Sequence, residues 1–115
     1  LEENHMVIKE KQSGDVVVLT VDGEINFNSS PEFRKSFLKV LDSKNLKVVV
    51  NLLNVAYVDS SGLATLVEAH QKIKSAGGKL KLTNLSPKVK GLFEITKLEK
   101  LFDIQPAEED AVKSF

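Results

Sequence analysis

The sequence has no cysteine and no tryptophan, one tyrosine, three prolines and two histidines. Without cysteine there is no disulfide, no thiolate nucleophile and no cysteine-ligated zinc or iron–sulfur site, and His5 and His70 alone do not make a structural metal centre. Neither sign of charge is in excess, since sixteen Lys and Arg balance sixteen Asp and Glu. That excludes the basic footprint of a direct nucleic-acid binder or of a polybasic membrane patch, so partners must be met by shape or local charge. No apolar run approaches the roughly 20 residues of a membrane span, and the opening LEENHMVIKE is charged where a secretory signal needs an apolar stretch. A cytoplasmic protein that does not insert into membranes is the expectation. A G-x-x-x-x-G-K-[ST] phosphate loop is also missing, which leaves a nucleotide site on this chain weakly supported.

What is present matches one ordinary domain: 115 residues, 42% hydrophobic and 28% charged, enough for a single core. LEENH, residues 1–5 ahead of Met6, is set aside as an expression remnant, and residues 6–115 are taken as the domain. MVIKEKQ and DVVVLTVD, either side of Ser13-Gly14, have the β-branched runs and turn dipeptide of a hairpin. SSPEFRKSFLKVLDSK opens with Ser30 as cap and Pro31 at the first helical position, and Phe33, Phe37, Val40 and Leu41 recur at helical spacing. LKVVVNLLNV is the nearly continuous apolar run of a strand buried on both faces or at the centre of a sheet. From residue 60 the period becomes helical, with Leu63, Leu66, Val67, His70 and Ile73 on one stripe and Gly77-Gly78 as the stop. KLKLTNL alternates as a strand, Ser86-Pro87 repeats the cap-and-proline signal, and Val89, Leu92 and Phe93 mark a short helix. A short strand near Phe102 to Ile104 and a last helix after Pro106 complete the pattern. Strands alternating with helices predict a small α/β domain: a mixed, mostly parallel sheet with an N-terminal antiparallel hairpin and about four helices. Sites in such sheets lie on the strand-to-helix loops.

One of those loops holds YVDSSGLATL, residues 57–66. As a simple cap, an oxygen of Asp59 or Ser60 would accept from the first-turn N–H groups, a contribution of about 1 kcal/mol. As a nucleophile elbow it fails, because glycines are needed two residues either side of the serine and Val58 or Asp59 stands in the first position. His70, ten residues beyond Ser60 on the apolar stripe, cannot reach back as a base and reads as a packing residue. No catalytic residue is assigned. As a phosphoacceptor, a serine at a helix start can carry a dianion toward free N–H donors and the positive end of the dipole, while a partner lying on the turn would meet new repulsion beside Asp59. Gly62 inside the first turn weakens the helix, and the expectation is that something requires close access to the backbone there.

Four pieces in order, VDGEIN, DSSGL, GGKLKL and LSPKVKGLFEITKLEKLF, make nearly the whole chain resemble the STAS domain family, specifically the bacterial anti-sigma factor antagonists. The resemblance implies a non-enzymatic protein that binds an anti-sigma factor, itself a serine kinase, and so frees a sigma factor. It implies phosphorylation of the serine after the aspartate, Ser60, with Ser61 as secondary candidate, and reversal by a PP2C-type phosphatase. Gly23, Glu24 and Asn26 of GEIN, with Asp59, Ser60, Ser61, Gly62 and Leu63, correspond to the partner-binding face. Position 26 is usually an aspartate in the family; in this chain it is Asn26, and a local turn is an equal reading of GEIN. No cofactor or metal is expected on the chain, ATP belonging to the partner kinase. Two other roles stay open: a STAS scaffold without the switch, serving a lipid transporter or a stress-signalling assembly, and a small-ligand or nucleotide-binding sensor.

Overall fold

The computed structural model describes residues 6–44 and 46–115, so the assignment of residues 1–5 lies outside the described residues. Two strands, β1 Val7–Ser13 and β2 Val16–Asp22, form the expected hairpin and pair antiparallel. There follow helix α1 Ser30–Asp42, strand β3 Lys47–Asn54, helix α2 Ser60–Ser75, strand β4 Lys79–Thr83, helix α3 Pro87–Ile95, a 3-10 turn Leu98–Lys100, strand β5 Asp103–Gln105 and helix α4 Glu108–Lys113. The five strands lie in sequence order, and every neighbour pair after the hairpin is parallel. Crossovers that keep one hand and always step the same way along the sheet leave their helices on the same face. The packing shows this, since Phe33, Phe37, Leu66, Ile73, Val89 and Phe93 of α1, α2 and α3 join Val17, Leu19, Val48, Val50, Leu80 and Leu82 in the main core.

The apolar run of β3 is buried on both faces from Val48 to Leu52, while Leu53 near its end is 63% exposed, a departure from the expected burial of the whole run. Val48, Val50 and Leu52 face the main core, while Val49 meets Val16, Val18 and Ala111 under α4 on the second face. Lys81, one strand over, would face water by the alternation of KLKLT, yet α4 covers it to 2% exposure. Its ammonium donates to Ser114 Oγ, lies 3.5 Å from Asp103 Oδ2 and sits 4.5 Å from the Phe115 ring centroid. A buried cation needs such a set of partners. Asn51 is buried on the same face and donates to Glu108 Oε1 at 2.9 Å, while Lys11 binds Glu108 Oε2 at 2.8 Å. The short last helix is thus held by polar contacts as much as by its small apolar seam.

Helix ends follow local chemistry. Gly77, at φ 91°, and Gly78 close α2 with N–H groups that donate to Lys74 and Ile73 carbonyls, the two bonds of a left-handed helix stop. Ser86 caps α3 as expected, its Oγ accepting from Val89 N at 3.2 Å. Ser30 does not play the expected part. Ser29 stands at the cap position, though its side chain bonds the preceding turn and not the helix, and the Ser30 hydroxyl donates backwards to the Asn26 carbonyl at 2.7 Å. Asn26 Oδ1 already accepts from the Asn28 and Ser29 N–H groups, so the Ser30 hydroxyl serves the preceding turn. Between α1 and α2, Arg34 reaches Glu68 with Nε 3.0 Å from each carboxylate oxygen, and both ionised forms are favoured as a result.

His70 packs as a ring. It lies edge-on to Phe102 with centroids 5.3 Å apart, and among the described residues its buried Nδ1 has no partner. Burial first, and the nearby Lys74 charge second, hold its pKa below the ordinary value. The neutral ring is therefore favoured in the fold. Above about pH 6.5 folded and unfolded chains both carry it neutral; as pH falls below that, the unfolded chain takes up the proton more readily and stability is lost. Urea denaturation at pH 7.5 and 5.5 should show the parent losing more stability across this window than His70→Phe. Equal losses in the two proteins would remove His70 as the cause.

Candidate functional site

Parallel pairing of β2 with β3 ends both strands at the same edge of the sheet, and the loops that follow, residues 23–29 and 55–59, meet there. Their pairing continues past the strands: Ile25 bridges Val58, with Ile25 N donating to the Tyr57 carbonyl and Asp59 N donating to the Ile25 carbonyl, both at 3.1 Å. Asp59 then uses both carboxylate oxygens. Oδ1 accepts from Gly62 N at 2.9 Å and caps α2, while Oδ2 accepts from Phe27 N at 3.0 Å in the other loop. The choice between Asp59 and Ser60 as cap is thereby settled for the aspartate. Ser60 becomes the first residue of α2 and is exposed, and Ser61 beside it is half-buried.

The GEIN segment is built as a turn. Gly23 has φ 123°, a region that side chains rarely enter, and its N–H donates to the Asn54 carbonyl at 3.2 Å. Asn26 combines the two backbone bonds above with an Nδ2 donation to Glu24 Oε1 at 3.2 Å. Ser29 Oγ accepts from Asn26 N at 2.9 Å and donates to the Glu24 carbonyl at 2.6 Å. An aspartate at position 26 could keep the backbone acceptances but would oppose the Glu24 carboxylate, which gives the amide in this chain a physical reason.

Gly62 is explained from inside the chain. It is buried, and a Cβ there would overlap the Ile25 carbonyl oxygen and stand 2.8 Å from Val58 Cγ1. Ile25 fills the space expected for an approaching partner, which corrects that expectation. Leu63, 8% exposed, also points to the core. Of the eight residues matched to a partner face, Glu24 and Ser60 are exposed, Gly23, Asn26, Asp59 and Ser61 are half-buried, and Gly62 and Leu63 support them from below. Two aromatic residues on the same surface escaped the motifs. Phe27 is 76% exposed on the first loop and Tyr57 41% exposed on the second, with Lys88 Nζ 5.3 Å from the Tyr57 ring centroid. An aromatic inside NFNSS, outside any apolar period, was the signal available for Phe27.

With no nucleophile elbow in the turn, and with no histidine at it among the described residues, the site offers an exposed surface and the Ser60 hydroxyl at a helix start, with Ser61 half-buried beside it. Among the described residues no group of three or more His, Asp or Glu side chains is placed to hold a metal ion, and no helix is long and apolar enough to cross a membrane. The model of the STAS domain matches residues 7–111. The chain belongs to the STAS domain family. The anti-sigma-B factor antagonist of Bacillus subtilis (strain 168) is 33% identical over 103 residues, covering 90% of this chain and 94% of that one. A solved anti-sigma factor antagonist from Mycobacterium paratuberculosis superposes with a TM-score of 0.88 at 22% identity, covering 96% of this STAS chain and 94% of the other. The Bacillus cell fate determinant SpoIIAA in its phosphorylated form gives a TM-score of 0.71 at 18% identity over 93% and 97% of the two chains. Both structures share the fold of this STAS domain.

Removal of the carboxylate by Asp59→Ala should cost about 2 kcal/mol, one part for the cap and one for the Phe27 bond, whereas Asp59→Asn, keeping one acceptor oxygen, should lose about half of that. Gly62→Ala should be destabilised by about 2 kcal/mol or more, because the colliding atom is backbone. Chemical denaturation checks all three; a Gly62→Ala protein as stable as the parent would contradict the close packing of residue 62 against Ile25.

Proposed function

We propose that this STAS domain is an anti-sigma factor antagonist, which binds an anti-sigma factor that is also a serine kinase and thereby frees a sigma factor, until phosphorylation of Ser60 ends the binding. The single observation that carries this reading is the division of labour at the turn: Asp59 supplies the cap, and the Ser60 hydroxyl stands exposed beside it. The names of the relatives support the role, and a structural relative has been solved in a phosphorylated form. The chain contributes the acceptor oxygen, and the partner contributes ATP and catalysis. A PP2C-type phosphatase would restore the binding form. Nothing in this scheme requires an enzyme activity, a cofactor or a metal of the chain's own, and it operates in the cytoplasm without direct contact to nucleic acid.

The electrostatics give the switch its direction. A phosphoserine adds about −1.5 to −2 charge. Because Asp59 Oδ1 already occupies Gly62 N, the new dianion would share the helix end with a carboxylate. The surface can still carry the modification, since the side chain is in water and the dipole end is positive. A partner seated on the turn would have to desolvate both anions, which costs far more than desolvating a hydroxyl.

Incubation with the cognate anti-sigma factor kinase and ATP, followed by mass spectrometry, should place one phosphate on Ser60 and none on Ser60→Ala. Ser61→Ala should still be modified. Ser60→Asp should bind the kinase at least about tenfold more weakly, a difference of about 1.4 kcal/mol or more, with its melting temperature close to the parent's. Undiminished phosphate on Ser60→Ala would move the site, and unchanged affinity in Ser60→Asp would sink the charge mechanism.

A further inference from the structure

Beside the serine turn lies an apolar groove of about 280 Å³ formed by Tyr57 and Val58 on one side and Val89, Gly91, Leu92 and Ile95 of α3 on the other. Two of its members are placed at odds with the chain's own stability. Ile95 is 80% exposed at the groove's end, a large aliphatic group left in water. Gly91 sits in the middle of α3, where glycine is among the weakest helix formers, and a Cβ there would meet nothing within 4 Å. Gly62 and Gly78 each have a backbone neighbour that forbids a side chain. Gly91 has no such neighbour, and its missing side chain leaves the groove open.

The groove is continuous with the serine turn. Val58 lines it and is bonded through its bridge with Ile25 to the loop that carries Phe27, and α2 begins with Ser60 two residues later. Its rim carries one cation, Lys88, held over Tyr57. A partner face that covers Ser60 therefore extends onto an apolar slot with a positive edge.

We infer that this groove is a second anchoring point for the anti-sigma factor kinase, taking a bulky aliphatic or aromatic side chain of the kinase that has a carboxylate next to it to meet Lys88. The inference rests on the proposed function and specifies how that partner is held. An apolar contact does not sense the phosphate, so the groove supplies affinity while Ser60 supplies the switch. The kinase uses the groove to position its substrate, and loss of the anchor raises KM for the chain more than it lowers kcat.

The test fills the slot. Gly91→Leu has room for its side chain and should melt at or above the parent temperature, yet bind the purified cognate kinase at least about tenfold more weakly and show a raised KM as its substrate with kcat within about twofold of the parent. Ile95→Lys, changing a group already in solvent, should show the same loss without any effect on folding, and Lys88→Glu should weaken binding and reduce its dependence on salt. Parent-like affinity in both Gly91→Leu and Ile95→Lys would overturn the anchoring role even if Ser60→Asp behaves as proposed. Weakened binding in those two variants with unchanged binding by Ser60→Asp would instead keep the groove and remove the phosphate switch. Equal falls in kcat and kcat/KM would also overturn the inference, since they would place the groove's effect in the chemical step.

Discussion

The Asp59 carboxylate is the constraint on which the candidate site depends. One oxygen ends the helix it precedes, and the other holds the backbone of a loop 32 residues earlier in the chain. A neutral cap such as serine would satisfy the helix and leave the loop free, because a hydroxyl cannot reach in two directions with two acceptor atoms in one plane. With a carboxylate, the turn before α1 and the turn before α2 become one body. The parallel bridge between Ile25 and Val58 and the close approach of Gly62 to the Ile25 carbonyl then fix their separation. Each of these contacts presupposes the others: a side chain on residue 62 would push the loops apart, and without the bridge the aspartate would have only one N–H to bind.

That body is placed by the sheet. Parallel neighbours leave all their C-terminal ends on the same edge, so consecutive strands that step one way across the sheet bring consecutive strand-to-helix loops together. The three crossover helices cover one face with the main core, and α4 covers part of the other with a thin apolar seam and buried polar contacts. Below the site the sheet is buried at Val49, Val50 and Leu52, whereas Leu53, on the face opposite Leu52 near the end of β3, is 63% exposed.

The elements were legible in the sequence because each carried its own period: alternation or unbroken apolar runs in the strands, Phe33, Phe37 and Val40 in the first helix, and the change of period at residue 60. The family was legible from four motifs in order. Contacts between loops were not. No local rule shows that Asp59 also binds Phe27 N, or that Gly62 answers to Ile25 in the preceding loop, since both depend on strand pairing that a linear pattern leaves implicit. The Ser30 assignment failed for a related reason. Ser-Pro at a helix start is ambiguous by one residue when another serine precedes it, and the competing acceptor, the Asn26 carbonyl, is set by a turn whose geometry only the fold supplies. Lys81 was hidden in the same way, because alternation gives the face of a strand and not what lies on top of it.

Within the turn, the positions differ in how much structure depends on them, and that difference bears on where a switch can be placed. Asp59 bonds in two directions, and Gly62 has no space for another atom. Ser61 contributes its carbonyl to the Thr65 hydroxyl and is half-buried. Ser60 is the position where a large charged group can be attached without displacing a neighbour from its packing. Gly62 has no side chain to modify, and a phosphate on half-buried Ser61 would have less access to water than one on exposed Ser60. On the exposed Ser60 hydroxyl a phosphate would add charge at the surface beside Asp59, which is the condition the proposed switch needs if it is to be set and reset while the domain stays folded.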